Sequence, residues 1–519
     1  MSEIIIHHEH KIGLIGLTAI GVGTMIGSGW LFSSYYASKI AGPGAYIAWI
    51  LTSIIILILG LSLSEIASRY PKRGLMARLL VISHSKEFAF VCTITTWLGL
   101  TAVIATEAEG SIQYLSSLSQ TIKPYIFNNQ INQLTHLGLF FSVIIVVLFG
   151  IINFWGVKLL SHSNVALTTA KIIIPLLTAI SIIFTHFDSH NFTAYHQSFL
   201  PYGGSSIFLA MIGAGMVYSF NGFQNIASFA SEAKNPKRNI PLAMAFSIFI
   251  TLIVYITLQT SFIGALSPQQ LAKGWDNLIF TSPFVQITMM LNLNLMTLIL
   301  YVDAVASPSG TGLIYTGSTT RMLTGMSEDK QMPQFFNKMS KYNFSRRSLI
   351  TTIILAIVFI LLFRSWSSLV SFLSLFYVIS YMSIPICLGK LRHTKIKGHF
   401  SLPLAQLIMP LLFIFLSILF LFSGFPNTSY VAFFVLLTFI IYAFVQYHAF
   451  NNLDKIIKEA SVILLHILLL SFLSAIGPKT FGGFNFLNHI TFFVLTIILS
   501  CITYYIGVFR HTSEPEKVN

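Results

Sequence analysis

Four ionisable side chains stand inside otherwise apolar stretches of the chain: Glu107, Glu109, Lys171 and Asp303. Each costs about 2.5–3.5 kcal/mol or more at the centre of a membrane helix, so such groups default to functional candidates. Buried carboxylates and a buried amine are groups that can carry a proton. Glu107 and Glu109 are two residues apart, about 200° around a helix, and cannot share one face. A second kind of chemistry lies in the main chain. Residues 23–32 read Gly-Thr-Met-Ile-Gly-Ser-Gly-Trp-Leu-Phe in the middle of the first apolar segment. Three glycines weaken a helix, at about 1 kcal/mol each against Ala. Lipid-exposed backbone cannot lack hydrogen-bond partners, so an interruption at this depth must face a protein-lined cavity.

A second interruption falls at Gly213-Ala214-Gly215 and Ser219 to Asn225, where Asn221-Gly222 is a turn-favouring pair. Interrupted segments at matching positions of two halves are the mark of an inverted-repeat transporter. The amides of Gly27, Ser28 and Gly29 at a half-helix start suit a carboxylate. Carbonyls near Met25 and Ile26, and at Phe220, Asn221 and Gly222, suit an ammonium group. Together they describe a receptor for the backbone end of an amino acid. Asn221, Gln224 and Asn225 are placed to meet its side chain, with Phe220 as gate. The competing reading of Gly23 to Gly27 is a GxxxG that lets two helices approach. A dinucleotide fingerprint fails, because Ile26 stands where a glycine is needed.

The elements that must hold these groups are membrane helices. The chain of 519 residues is 55% hydrophobic and 9% charged, with mean hydropathy +0.78; a soluble domain carries about 25% charged residues. About fourteen apolar stretches are long enough to span: 12–37, 43–67, 88–118, 136–157, 161–185, 205–231, 240–265, 283–318, 348–364, 366–390, 402–423, 429–450, 460–477 and 486–509. The first is too long and too polar at its centre for a cleavable signal peptide. The net charge of +14 does not indicate nucleic acid. With the N-terminus inside, most Lys and Arg fall in cytoplasmic loops and tails, and only Lys39, Lys123, Lys273, Arg364 and Lys479 fall outside. That is the positive-inside pattern, and an even span count puts both termini in the cytoplasm.

The expected organisation is a cytoplasmic tail 1–11, a ten-helix core 12–391 built of repeats 12–185 and 205–391, helix pairs at 402–450 and 460–509, and a tail 510–519. Residues 69–87 mix charges with Leu79 to Ile82 and suit an interfacial helix or re-entrant stretch. Cys92, Cys387 and Cys501 are isolated, with no metal, redox or disulfide pattern. His7-His8-Glu9-His10 reads as an ordinary tail, so no metal site and no cofactor are expected. The sequons at Asn191 and Asn427 fall on the expected outer side. Glu65, near a span end, suits a salt bridge at a loop or gate.

In these features the chain resembles the amino acid–polyamine–organocation superfamily, the transporters with a leucine-transporter-type five-plus-five repeat. The resemblance runs over about residues 12–450. It rests on Gly27 to Phe32; Ala41-Gly42-Pro43-Gly44 with Trp49, Glu65 and Pro71 to Gly74; Glu232 to Pro241; and Arg321-Met322-Leu323 through Met332 to Phe336. Glu107-Ala108-Glu109 with Gln113-Tyr114, and Asp303 to Thr311, are similar to bacterial aspartate/glutamate–proton symporters. Lys171 matches the helix-five lysine that replaces a sodium ion in proton-coupled relatives. The resemblance therefore implies a proton, rather than sodium, as coupling ion. Gln224 stands at a position that is acidic in many amine-recognising relatives, which agrees with an anionic or neutral substrate.

The expectation is an all-α transporter of the cell membrane that imports an amino acid, acidic in the first instance, with a proton handled by Lys171, Asp303, Glu107 or Glu109. An exchanger of glutamate against a decarboxylated amine and a neutral amino acid permease are same-class alternatives. A nutrient sensor is disfavoured by the short tails. A membrane enzyme lacks HExxH, GxSxG or any paired His/Asp cluster in the spans. Lipid and the substrate are the expected partners; monomer and homodimer stay open.

Overall fold

A computed structural model describes residues 12–70, 80–155, 160–193, 195–230, 232–340, 344–394, 398, 400–446 and 453–510. The tail with His7, His8 and His10, the basic run 71–79 within the expected interfacial stretch, and the tail after Arg510 lie outside the described residues. The longer helices are α1 (Leu14–Met25), α2 (Gly29–Ala41), α3 (Ala45–Arg69), α4 (Lys86–Leu115), α5 (His136–Phe154) and α6 (Leu160–Thr185). There follow α7 (Ser205–Gly213), the short α8 (Met216–Ser219) and α9 (Gln224–Ser228), then α10 (Pro236–Gly264). The rest are α11 (Pro283–Met290), α12 (Asn294–Glu328), α13 (Arg346–Phe363), α14 (Trp366–Leu391), α15 (Ala405–Leu421), α16 (Asn427–Gln446), α17 (Leu453–Ile476) and α18 (His489–Phe509).

Among the described residues ten helical stretches are long and apolar enough to cross a membrane, with three shorter apolar helices beside them. Polar caps mark where the apolar runs begin. Ser85, Thr135, Ser345, Ser365 and Asn488 each accept a hydrogen bond from a first-turn amide, satisfying a donor that no intrahelical carbonyl reaches. The α4 span is wholly buried and α14 nearly so. By contrast α5 and α13 turn Phe140, Ile144, Ile151, Ile350, Ile354 and Leu361 outward, as a protein solvated by lipid does. Packing falls into two sets. One joins α1, α3 and α6 to α10; the other joins α4 to α12 and α14, and α5 to α13.

Two expected elements need correction. The 283–318 stretch is two helices, because Asn292 takes a left-handed conformation (φ 57°) between α11 and α12. Helix α12 then continues to Glu328, well beyond the apolar run. In its Ser/Thr-rich end the hydroxyls of Thr316, Thr320 and Thr324 are satisfied by donating to carbonyls four residues back, which lets these polar residues be buried. The chain is also not purely helical: Phe127–Asn128 pairs antiparallel with Gln133–Leu134. A further bridge joins Ile12 to the loop after α9 through Ile12 N to Glu232 O (2.9 Å) and Lys234 N to Ile12 O (2.8 Å).

Candidate functional site

The site is built where α1 gives way to α2. Ile26 is extended (φ −92°, ψ 97°), its amide closing the last turn of α1 on Val22, and α2 starts at Gly29. Ile26, Gly27 and Ser28 are all buried. The amide of Ser28 donates to Oε2 of Glu107 at 2.7 Å. An acidic side chain of α4 therefore already sits on one of the amides expected to receive a ligand carboxylate. Tyr218 of α8 donates its hydroxyl to Oε1 of Glu107 at 2.6 Å, so Ser28 Oγ, 2.9 Å from the phenol oxygen, donates to Tyr218. The indole of Trp366 donates to the same Ser28 oxygen at 2.9 Å. Both carboxylate oxygens of Glu107 are thus bonded, one by a main-chain amide of the first interruption and the other by a side chain of the second. Gly27 has no room for a side chain, since a Cβ would strike Glu107 Oε1.

The carbonyl end of α1 is held by the buried amine. Lys171 of α6 donates to Gly23 O at 3.0 Å and to Thr311 Oγ1 at 2.5 Å. Thr311 of α12 is itself 3.4 Å from Ile26 O. The two hydrogen-bond partners of Lys171 are neutral oxygens, while Glu107 and Asp303 both lie within its electrostatic reach. Asp303 is 2% exposed and its Oδ2 has no hydrogen-bond partner; Glu109 is fully buried and neither of its carboxyl oxygens has one. Of the four ionisable residues, the structure brings Glu107 and Lys171 onto the first interruption. Asp303 stands near them, and Glu109 points elsewhere on α4.

The second interruption lies directly against the first. Thr24 Oγ1 is 3.2 Å from Gly222 O, and Ser33 and Ser219 hydroxyls are 3.0 Å apart. Gly222 has φ 117°, a backbone that favours glycine, and a Cβ there would lie 2.8 Å from the backbone carbon of Thr24. Gln224 is spent locally, donating to Asn221 Oδ1 (2.6 Å) and accepting from Gly222 N (3.1 Å). Asn221 keeps an unpartnered buried Nδ2. Asn225 is half-buried, its amide bonded to Gly222 O. Phe220 is fully buried, edge-on to Trp49, with Tyr255 beside it. Met25 is buried in α1, 3.9 Å from Thr251 Oγ1.

Tyr218 and Trp366 belong to the site without having been expected there. A tyrosine one residue before Ser219-Phe220 is a signal that could have been used; Trp366, at the first turn of α14, carried none. Elsewhere, Glu65 accepts from Arg392 (2.6 and 3.0 Å), Arg69 (2.7 Å) and Leu402 N (2.8 Å), tying α3 to the chain before α15. The Asn191 sequon is engaged in the fold: its Nδ2 donates to Ile263 O and Leu266 O. Among the described residues Cys92, Cys387 and Cys501 form no disulfide.

Residues 12–445 match the family model described as amino acid permease. The chain is 36% identical over 501 residues to the glutamate/serine transporter AimA of Bacillus subtilis, covering 96% of this chain and 93% of that one. It is 30% identical to the aspartate-proton symporter of the same organism, over 98% and 97% of the two chains. The branched-chain amino acid permease BcaP, also of Bacillus subtilis, is 25% identical over 64% and 70%. The chain belongs to the amino acid permease family of the amino acid–polyamine–organocation superfamily, multi-pass membrane transporters and not enzymes.

Proposed function

We propose that this protein is a secondary transporter that brings an amino acid, acidic in the first instance, into the cell together with a proton. The reading takes α1/α2 and α7 to α9 as the discontinuous first and sixth helices of a five-plus-five inverted repeat within about fourteen spans. It places the protein in the cell membrane with both termini in the cytoplasm. The observation that carries it is the Glu107 carboxylate on the Ser28 amide, tied by Tyr218 to the second interruption. An amide that accepts one carboxylate accepts another, so an amino acid's α-carboxylate competes with Glu107 for this place.

The charge count supports a proton as partner. Glu107, Asp303 and Lys171 share one buried region, and fully ionised they carry one net negative charge. A buried uncompensated charge is strongly unfavourable, and one proton shared among the three removes it. Substrate carboxylate then displaces Glu107 from Ser28, and Glu107 leaves with the proton. Alternating access follows if the α1/α10 set rocks against the α4/α12 set around the two interruptions. The name of one relative includes serine, which favours a second reading in which a neutral amino acid is also carried. Uptake into proteoliposomes separates these. Labelled aspartate, glutamate and serine are offered with an inward proton gradient, then with sodium alone. Accumulation under the proton gradient is expected; accumulation under sodium alone overturns the proposal.

A further inference from the structure

Trp366, in the first turn of α14, reaches the site through one hydrogen bond, and the chemistry of that bond is one-sided. The indole is fully buried, stacked between Phe32 and Tyr36 of α2 at ring-centroid distances of 4.7 and 5.6 Å. On α4, Gly110 leaves room for it, since a Cβ there would lie 3.1 Å from Trp366 Cδ1. Its Nε1 is thereby aimed at Ser28 Oγ, 2.9 Å away. An indole N–H donates and never accepts. Ser28 Oγ therefore accepts from Trp366 and gives its own hydrogen to Tyr218, which gives its hydrogen to Glu107 Oε1. Every donor in this chain points toward the carboxylate, and bonds in such a chain strengthen one another. A proton arriving on Oε1 turns Tyr218 into an acceptor and makes it donate to Ser28. Ser28 Oγ then faces two donors at once, and its own hydrogen is turned out of the chain. Protonation of Oε2 instead weakens the bond from the Ser28 amide.

We propose that Trp366 is a positioning residue for the coupling proton: with α14 packed on α2, its N–H keeps the Ser28–Tyr218 chain in the direction that favours ionised Glu107. Loss of the Trp366–Ser28 bond releases that constraint, so Glu107 takes a proton more readily. Resting on the reading of Glu107 as proton carrier, this role sets when the proton is taken. On the proposed orientation Trp366 stands at the outer end of α14. Parting α2 from α14 on the outer side then breaks this bond and admits the proton from that side. The other titratable groups that face Glu107 are Lys171 of α6 and the phenols of Tyr255 on α10, Tyr315 on α12 and Tyr377 on α14; Asp303 of α12 faces Lys171. Helices α5 and α13, also packed on α4, carry theirs only in the first turn. Removing one indole N–H leaves all of these groups in place, so its effect is separable from theirs.

The test follows the full-length purified protein by infrared difference spectroscopy as pH is lowered, reading the C=O stretch of a protonated carboxyl group. Glu107→Gln identifies the band by its loss. In Trp366→Phe, which keeps a ring for the stack and removes the N–H, the band is expected to appear at higher pH. The shift is about half a pH unit, or about threefold in proton affinity. Ser28→Ala keeps the amide and removes the hydroxyl; it should move the midpoint in the same direction, and adding Trp366→Phe should move it no further. Ser28→Ala also stands in should Trp366→Phe fail to fold. A ring that merely filled space would change the melting temperature of Trp366→Phe without moving the band. A midpoint unmoved or lowered in either variant, or a further shift in the double variant, overturns the proposal while leaving Glu107 as proton carrier. If no titrating band is lost in Glu107→Gln, the reading of Glu107 itself fails and takes this role with it.

Discussion

Glu107→Gln is the most informative single change. In the wild type the carboxylate takes two hydrogen bonds, from Ser28 N at 2.7 Å and Tyr218 OH at 2.6 Å. Bonds to a charged acceptor contribute about 1.5–3 kcal/mol and neutral ones about 0.5–1.5. Replacing the acid by its amide thus weakens the hold on Ser28 by about 1 kcal/mol, and by about 2 kcal/mol if the Tyr218 bond is counted too. If Glu107 competes with substrate, that difference appears as tighter binding, about fivefold for one bond and about thirtyfold for both. The variant also has no proton to give or take at this position. Binding measured by calorimetry on the purified protein should become tighter and lose any dependence on pH that stems from Glu107. Gradient-driven uptake in proteoliposomes should fall to background while counterflow of labelled substrate continues. Weaker binding in Glu107→Gln, together with uptake that still follows the proton gradient, would refute the reasoning.

Three further outcomes can be checked. Lys171→Gln keeps a donor for Gly23 O and Thr311 but removes the positive charge, so proton-driven accumulation should be abolished while counterflow survives; loss of both would make Lys171 structural. Gly222→Ala puts a Cβ at 2.7–2.8 Å from Thr24 in a backbone with φ 117°, a strain of about 1–3 kcal/mol before the clash is counted. It should lower the melting temperature by several degrees, whereas Gly325→Ala, with nothing within 4 Å of its Cβ, should be neutral or better. His84, between the short helical run at 80–83 and α4, is buried with Nε2 near Gly507 O and Nδ1 near Ser83 Oγ; burial pushes its pKa down to about 3. The unfolded chain therefore binds one more proton than the folded one between about pH 6.5 and 3, and stability falls as pH drops through that window. From pH 6.5 to 5 the loss is about 2 kcal/mol, and it should vanish from unfolding curves of His84→Gln.

What the sequence could tell depended on whether a residue's job is local or made by a partner far along the chain. Helix starts such as Ser85, Thr135 and Ser365 are legible because a cap needs only the next three residues. The ends of α1 at Met25 and of α8 at Ser219 fall beside Gly27 and Asn221-Gly222, residues whose effect on the backbone is also local. The division at Asn292 was hidden because a single Asn in a left-handed turn leaves the surrounding hydropathy unchanged. The end of α12 was hidden for the opposite reason: its hydroxyl-rich sequence looks like a loop until the packed fold buries it. Glu107 stood out as an ionisable residue in an apolar run. Its contacts did not, since Tyr218 is 111 residues away, and Trp366 reaches Ser28 across 338. No spacing rule connects such residues.

The same contacts explain how a substrate the size of an amino acid could move whole helices. Helix α1 packs with α10, and α4 packs with α12. Two of the hydrogen bonds at the first interruption cross between these sets: Ser28 to Glu107, and Thr311 to Ile26. A third runs through Lys171, which joins Gly23 of α1 to Thr311 of α12. All three end on main-chain atoms of residues 23–28, the stretch proposed to meet the substrate. A ligand that takes the Ser28 amide for its carboxylate removes one crossing bond. One whose ammonium group takes the carbonyls near Met25 and Ile26 competes with the second. With a proton on Glu107 the first bond is weaker before the ligand arrives. On the proposed reading, proton and substrate act on the same Ser28–Glu107 bond, so protonation of Glu107 lowers the cost of the displacement that the substrate carboxylate makes.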